Sequence, residues 1–173
     1  LHQAALPRGD DRGTEVEVCE AVAQARPLGV GTNLLPHASQ QLCQLGLEEV
    51  LAQRGIETST LAYFNKLGQE IWREPRGRAA GYDYPQFSIH RGELQMSLLE
   101  TAQSRLGADR IHAGHAFKSF RQEADKVVAT FSRRADGSDA EIVSDVLAAA
   151  DGIHSAVRKF LYPTGELPRF SGR

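Results

Sequence analysis

The stretch that most constrains this fold is Val146–Ala150, an almost purely apolar run that ends at Asp151-Gly152 and precedes a helix-forming segment. A continuous apolar run suits a strand buried on both faces, as in a parallel sheet covered by helices. Ser155 stands where the helix-forming segment begins, and serine is a favoured N-cap residue. The pattern therefore predicts an α/β fold in which a strand over 141–150 leads directly into a helix that begins near Ser155.

The Asp-Gly pair at this junction has two interpretations. In open α/β sheets, ligands bind outside the carboxyl ends of the strands, where helix N-termini present backbone N–H groups to phosphates. Gly152 would allow close approach of a ligand to the backbone, and Asp151 would accept hydrogen bonds from ribose hydroxyls. The other interpretation is a plain turn in which Asp151 accepts hydrogen bonds from backbone amides. These residues alone leave both interpretations open, whereas Asp136-Gly137, between two alternating segments, predicts a hairpin turn.

The remaining pattern predicts a mixed α/β chain with an antiparallel insert. Helices are predicted over 35–45, with Pro36 near the first helical position, and from Arg91 to a stop at Gly107. The first six residues resemble the last turns of a helix, and the chain is expected to be a fragment at both ends. Strands are predicted over 15–20, 87–89, 116–120 and 127–132, with a hairpin over 61–72.

Composition and charge exclude several classes of function. A net charge of -2 and a pI of about 6.3 provide no basic surface for nucleic acid or an anionic membrane. No apolar run reaches the roughly 20 residues that span a bilayer, and the chain shows no signal peptide, so a cytoplasmic protein is expected. His112 and His115 lack a third ligand at metal-site spacing, so no metal site is predicted. No nucleophilic triad is present either, and no catalytic side chain is assigned.

Glu20 ends the first predicted strand. In dinucleotide-binding folds, an acidic residue at the end of the second strand binds the adenosine ribose. A solvated surface residue is the alternative interpretation. The G-x-G-x-x-G fingerprint that precedes such a residue is absent from these 173 residues.

Several segments together resemble the FAD-dependent aromatic hydroxylases, the single-component flavoprotein monooxygenases of the para-hydroxybenzoate and salicylate hydroxylase type. The stretch Tyr84–Met96 is most similar to bacterial phenazine monooxygenases. The resemblance implies a partial, Rossmann-like FAD-binding domain over 1–173, with a parallel sheet and an antiparallel three-stranded meander. It also implies that residues 57–90 contribute hairpin and loop elements of the substrate domain. The segments that carry the resemblance are Glu20, the loop 26–31, the segment 88–94 and the Asp-Gly segment 150–158.

The resemblance also implies a chemistry. NADPH or NADH would reduce bound FAD, and a flavin hydroperoxide formed with O₂ would hydroxylate a small aromatic, phenazine-like substrate. Among cofactor contacts, Glu20 would hold the adenosine ribose, Arg26 and its loop would lie near the flavin, and Arg91 would reach the FAD. Asp151 and Gly152 would face both the FAD and the pyrophosphate of the nicotinamide cofactor. Arg158, which closes the motif, would be structural or would assist a phosphate.

Two questions stay open at this stage. Tyr82, Tyr84 and Phe87 either line an aromatic substrate pocket or belong to the core. The absence of the glycine fingerprint and of a later Gly-Asp motif suggests a second function class, a truncated, inactive homologue that binds FAD weakly or not at all. Another flavin-binding enzyme, such as a geranylgeranyl reductase or a halogenase, is the third alternative.

Overall fold

The computed structural model describes residues 14–165, which form a mixed α/β fold. The helix predicted for the first six residues lies outside the described range. The helices are α1 (Pro36–Gln44), α2 (Glu48–Arg54), α3 (Arg91–Leu106) and α4 (Ala156–Leu161). The strands are β1 (Val18–Glu20), β2 (Gly31–Leu34), β3 (Gly55–Glu57), β4 (Thr60–Phe64), β5 (Glu70–Pro75), β6 (Phe87–His90), β7 (Ile111–Ala113), β8 (His115–Glu123), β9 (Lys126–Arg133) and β10 (Asp139–Ser144).

Residues 26–101 form one compact unit. Its three-stranded antiparallel sheet has the order β2-β6-β3, and β4 and β5 form a separate hairpin. Phe87 and Ile89 alternate on one face of β6 and pack with Leu51 of α2 to make a buried cluster. This cluster fixes β6, and thereby the start of α3, which follows β6 without an intervening loop.

The described residues up to Ala25 and those from Ala102 onward form the second unit. β1 and β7 pair in parallel, from Val18 opposite Ile111 to Glu20 opposite Ala113. The antiparallel meander has the order β10-β9-β8. Phe160 of α4 contacts Phe117 and Phe120 of β8, with ring centroids 6.4 and 5.0 Å apart, so this short helix is held against the meander.

The predicted strand over 141–150 is the main correction. The strand β10 ends at Ser144 and pairs antiparallel to β9, while residues 146–150 are in no strand. Val146 is 76% exposed, whereas a run in a parallel sheet would be buried on both faces. The physical reason is that a strand needs a pairing partner, and the run pairs with none among residues 14–165.

Other elements agree with the sequence pattern or were missed by it. Helix α3, the β4–β5 hairpin, the strands of the meander and the turn at Asp136-Gly137 are confirmed. Helix α2 was missed, although Glu48 and Glu49 in its first turn and Arg54 in its last favour a short helix. No helix among residues 14–165 is long and apolar enough to cross a membrane.

Candidate functional site

The Asp151-Gly152 corner leads into α4 through a double cap. Ser155 is the N-cap residue of α4, and its hydroxyl oxygen accepts a hydrogen bond from the Arg158 N–H at 2.9 Å. Asp151 Oδ2 accepts from the N–H groups of Ala156 at 2.6 Å and Val157 at 3.1 Å. The predicted cap at Ser155 is confirmed, and three of the N–H groups that open a helix are satisfied by two side chains.

The chain reverses tightly between Asp151 and the cap. Gly152 has a φ of 76°, in the left-handed region that favours glycine. The Ser155 N–H donates to the Gly152 carbonyl at 3.0 Å, which closes the turn. Glycine at this position is therefore explained by backbone conformation, and the bare Cα also leaves the exposed outer side of the turn without a side chain.

The second oxygen of Asp151 is in a different situation. Asp151 Oδ1 is buried and accepts no hydrogen bond from residues 14–165. Burial acts to raise the pKa of Asp151, but hydrogen bonds from Ser155 and from the Val157 and Ala156 N–H groups outweigh it, so the pKa is lowered. The side chain is thus a carboxylate at neutral pH, and one of its oxygens retains acceptor capacity beyond the turn.

Arg158 lies on the first turns of α4, with its side chain exposed. Its Nη2 donates to the carbonyl of Ile153, inside the same turn. Asp151, Gly152 and Arg158 are therefore brought together in one corner that leads into α4. The contact supports the structural role that the sequence left open for Arg158, and a phosphate role remains a prediction.

Glu20 is half-buried at the carboxyl end of β1. Its Oε1 accepts from the Val22 N–H at 2.8 Å, which orients the carboxylate at the end of the strand. Because β1 and β7 are parallel, both carboxyl ends lie at the same edge of this pair. That edge is where ligands bind in sheets of this kind.

Arg26 and Arg91 belong to the unit 26–101, where the loop after Arg26 crosses the start of α3. The Arg91 N–H donates to the Val30 carbonyl at 3.0 Å. A Cβ placed on Gly92 would lie 2.4 Å from the carbonyl carbon of Pro27, so the crossing requires glycine at residue 92. The loop that follows Arg26 is thereby seated on the residues that flank Arg91, while both arginine residues remain exposed.

The three aromatic candidates lie in different environments. Phe87 is 1% exposed and belongs to the core cluster, the alternative role that its spacing allowed. Tyr82 is 59% exposed, and Tyr84 is half-buried. A pocket role for Tyr82 and Tyr84 remains a prediction. His112, considered above as a metal ligand, pairs with Glu17 through Nε2, and residues 14–165 contain no group of three or more potential metal ligands.

Sequence reasoning missed Gly92, which excludes any side chain at the loop crossing. For His90 it favoured a hydrogen-bonded structural role over contact with the flavin region, and the ring makes hydrogen bonds to the backbone on both sides of the crossing. A signal was present, because a glycine in the first turn of a helix lowers helix propensity and calls for a packing reason. The partner of that glycine is more than sixty residues away in the chain and was not visible from local spacing.

Comparison with known proteins assigns the family. A family model described as an FAD binding domain matches residues 10–166. The chain belongs to this family. It is 45% identical over 149 residues to a phenazine 1,6-dicarboxylic acid hydroxylase of Lysobacter antibioticus, covering 86% of this chain and 37% of that protein. It is 31% identical over 175 residues to a 3-amino-4-hydroxybenzoate 2-monooxygenase of Streptomyces cremeus, covering 99% of this chain and 41% of that protein.

Solved structures agree with this assignment. The Klebsiella pneumoniae HpxO structure with FAD and uric acid superimposes with a TM-score of 0.66 at 26% identity, over 83% of this chain and 34% of that one. A p-nitrophenol 4-monooxygenase from Pseudomonas putida has a TM-score of 0.75 at 22% identity, over 87% and 38% of the two chains, which supports the fold. The chain spans between 34% and 41% of the length of these four proteins.

The residues present fit a group such as FAD. The buried, unsatisfied Asp151 Oδ1 is an acceptor for a hydroxyl donor, and FAD carries several hydroxyl groups. Because Gly92 has no side chain, the loop after Arg26 packs directly against its backbone, and Arg91 lies close to that loop. The predicted FAD-binding, Rossmann-like fold is confirmed, and the membership of the aromatic hydroxylase group is confirmed with it.

Proposed function

We propose that this chain is the FAD-binding part of an NAD(P)H-dependent monooxygenase that uses O₂ to hydroxylate a small aromatic substrate. The observation that carries the proposal is that the two carboxylate oxygens of Asp151 have different surroundings. One oxygen holds the start of α4, and the other is buried with acceptor capacity to spare. In a chain of the FAD binding domain family, a cofactor hydroxyl is the donor that suits this oxygen.

Each predicted contact has a chemical role in this proposal. Glu20 accepts hydrogen bonds from the adenosine ribose, as strand-terminal carboxylates do in dinucleotide folds. Arg91 supplies positive charge to the FAD phosphates or flavin, with the loop after Arg26 beside it. Asp151 and Gly152 contact the FAD and face the pyrophosphate of the nicotinamide cofactor, and Arg158 fixes their turn through Ile153.

The chain's own residues supply binding and orientation. When bound, FAD supplies the redox chemistry, which accepts electrons from the nicotinamide and activates O₂ for transfer to the ring. Asp151 is not required to transfer a proton, because its lowered pKa keeps the side chain ionised and able to accept hydrogen bonds throughout the neutral range.

We propose an aromatic carboxylate as the substrate class. The two relatives described above are named for a phenazine dicarboxylic acid and for a hydroxybenzoate, so a carboxylated ring is common to both names. Residues 57–90, which include the β4–β5 hairpin, are proposed to contribute elements of the substrate domain. Within them, the exposed Tyr82 and the half-buried Tyr84 are the aromatic side chains proposed to face the substrate.

The decisive experiment is an FAD titration of the protein purified with its full natural chain, followed by flavin fluorescence. We expect saturable binding that is weakened in Asp151→Ala. Oxidation of NADPH and of NADH is then measured with phenazine-1-carboxylate and with a hydroxybenzoate, and hydroxylated product is identified by mass spectrometry. Binding of FAD without product would retain the cofactor assignment and overturn the substrate class. No FAD binding at all would overturn the proposal.

The alternative of an inactive homologue finds no support in the comparisons. The relatives are named as hydroxylases and monooxygenases. The geranylgeranyl reductase and halogenase alternatives are not favoured by any observation on this chain.

A further inference from the structure

We infer that His90 is a positioning residue, whose imidazole fastens the loop 26–30 to the first turn of α3 and so orients Arg91 for FAD. This rests on the proposed function, since it concerns how a proposed FAD contact is held. Each of the two ring nitrogens of His90 faces a backbone group. His90 Nε2 lies 3.0 Å from the Gly29 carbonyl oxygen, and the Gly92 N–H donates to His90 Nδ1 at 3.2 Å.

These partners define the protonation state of the ring. A carbonyl oxygen only accepts, so Nε2 must carry the hydrogen, and a backbone N–H only donates, so Nδ1 must present its lone pair. The neutral Nε2–H tautomer is the one state that satisfies both contacts. A proton on Nδ1 would place two hydrogens face to face between the ring and Gly92.

Three consecutive residues hold the same loop by different means. The His90 side chain binds Gly29, the Arg91 N–H donates to the Val30 carbonyl at 3.0 Å, and Gly92 gives room to Pro27. The guanidinium of Arg91 lies along Gly29, because a Cβ on Gly29 would be 2.7 Å from Arg91 Nε. Any displacement of the Gly29 carbonyl therefore moves the surface on which the Arg91 side chain rests.

A direct contact between His90 and FAD is the competing explanation. Both ring nitrogens are already engaged by backbone groups, so the imidazole has no free nitrogen for a cofactor. Arg91, in contrast, has an exposed guanidinium. The geometry thus assigns contact to Arg91 and positioning to His90.

A double-mutant cycle on the FAD dissociation constant tests this assignment in the full natural chain. We expect His90→Ala to weaken FAD binding about tenfold, since two hydrogen bonds to the loop are lost. In an Arg91→Ala background, the same His90→Ala change should alter the dissociation constant less than about twofold, because its effect passes through Arg91. An equal effect in both backgrounds would overturn the positioning role.

Conservative variants separate positioning from general folding. His90→Asn keeps an acceptor near the Nδ1 position, and His90→Gln keeps a donor near the Nε2 position. Each should bind FAD more tightly than His90→Ala, and a failure of both to recover any affinity would contradict the bridging role. His37→Ala, on the exposed side of α1, is the matched control and should leave FAD affinity unchanged.

The ring state is measured independently of FAD. Nitrogen-15 NMR of the imidazole in the FAD-free protein should show the neutral Nε2–H tautomer for His90 near neutral pH or slightly above. An Nδ1–H tautomer would overturn the inference whatever the cofactor affinity. If the wild-type protein shows the expected tautomer but binds no FAD, the proposed function fails while the link between His90 and the loop stands. Circular dichroism of each variant verifies that it is folded.

Discussion

The two carboxylate oxygens of Asp151 have different hydrogen-bonding surroundings. Oδ2 accepts from the Ala156 and Val157 N–H groups, while the buried Oδ1 accepts from none of the described residues. The two sequence interpretations, a turn and a nucleotide site, are therefore compatible, because a carboxylate has two oxygens. At the scale of one residue, the turn role is observed and the nucleotide role is the one proposed for the second oxygen.

Substitutions at Asp151 should separate these two roles. Asp151→Ala removes the Asp151 part of the double cap on α4, and we expect a loss of about 1–2 kcal/mol in the free energy of unfolding. Asp151→Asn keeps one acceptor oxygen for the cap and replaces the other oxygen with an NH₂ donor. It should therefore retain most of the stability but lose FAD affinity. Urea unfolding and FAD titration check both; equal FAD binding in wild type and Asp151→Asn would contradict the second role.

The pH dependence of stability follows from the same carboxylate. Hydrogen bonds hold the folded-state pKa of Asp151 below its ordinary value of 3.8, despite the opposing effect of burial. Its stabilising contribution is thus fully present above pH 3.8 and is lost as the pH falls through the lower, folded-state pKa. We expect the stability difference between wild type and Asp151→Asn to shrink as the pH is lowered below this value. Urea unfolding at a series of pH values measures it, and a difference that grows on acidification would contradict the assignment.

Gly92 offers a test in which the sign of the effect is diagnostic. Alanine is normally favoured over glycine in a helix by about 1 kcal/mol. At residue 92, however, the new Cβ would meet backbone atoms of Pro27 and Leu28 at 2.4–2.8 Å. We expect Gly92→Ala to lower the free energy of unfolding by about 1–3 kcal/mol and to weaken FAD binding. Gly31→Ala is the control, since nothing lies within 4 Å of its Cβ, and a stabilised Gly92→Ala protein would disprove the tight crossing.

At the scale of elements, local features were predictable and long-range pairing was not. The Ser155 cap and the β4–β5 hairpin depend on contacts within a few residues, and both are confirmed. The predicted strand over 141–150 was wrong beyond Ser144, because an apolar run favours burial but does not supply a partner strand. Helix α2 was missed because its seven residues give too short a pattern to distinguish from a loop.

The same difference applies to the candidate site. The corner at Asp151 and Gly152 was predicted because its hydrogen bonds span at most six residues. The hydrogen bond between the His90 ring and the Gly29 carbonyl was not predicted, since its partners are 61 residues apart in the chain. The residues proposed to contact FAD could thus be named from the sequence, while the residues that support them required the fold.

Aromatic contacts of Phe160 help to hold helix α4 against β8. Phe160 packs at 5.0 Å from Phe120 and is 46% exposed, so its removal should cost about 1–2 kcal/mol, less than for a buried phenylalanine. We expect Phe160→Ala also to weaken FAD binding several-fold, because α4 carries the N–H groups that orient Asp151. Leu161→Ala, 54% exposed on the same helix, is the control and should change neither quantity noticeably. Unaltered FAD affinity in Phe160→Ala would show that the corner holds without the helix contact.

At the scale of the whole molecule, each of the two compact units contains residues proposed to contact FAD. Glu20, Asp151 and Arg158 belong to one, and Arg26 and Arg91 to the other. A ligand that binds only the folded state stabilises whatever it contacts. FAD is therefore expected to protect both units against unfolding, and each unit contains its own reporter, since the two cysteines, Cys19 and Cys43, lie in different units.

Thiol labelling of these cysteines tests whether FAD stabilises the unit that contains each of them. Burial, assisted by Glu17, raises the pKa of Cys19 to about 11, and burial together with Glu48 raises the pKa of Cys43. Little thiolate is present in the folded state, so labelling near neutral pH is slow and is accelerated by local or global opening. With free FAD at 100 times its dissociation constant, labelling that requires release of FAD should slow about 100-fold. The variants Cys19→Ser and Cys43→Ser report one thiol each.

The labelling rate of Cys43 tests the FAD contacts proposed at Arg26 and Arg91. Cys19 adjoins Glu20, so bound FAD would protect it by shielding as well as by stabilisation. Cys43, on α1, is not among the proposed contacts, so its protection can come only from stabilisation of the unit that contains Arg26 and Arg91. We therefore expect the Cys19→Ser protein, which retains Cys43, to be labelled more slowly with FAD than without it. An unchanged rate would contradict the FAD contacts proposed at Arg26 and Arg91.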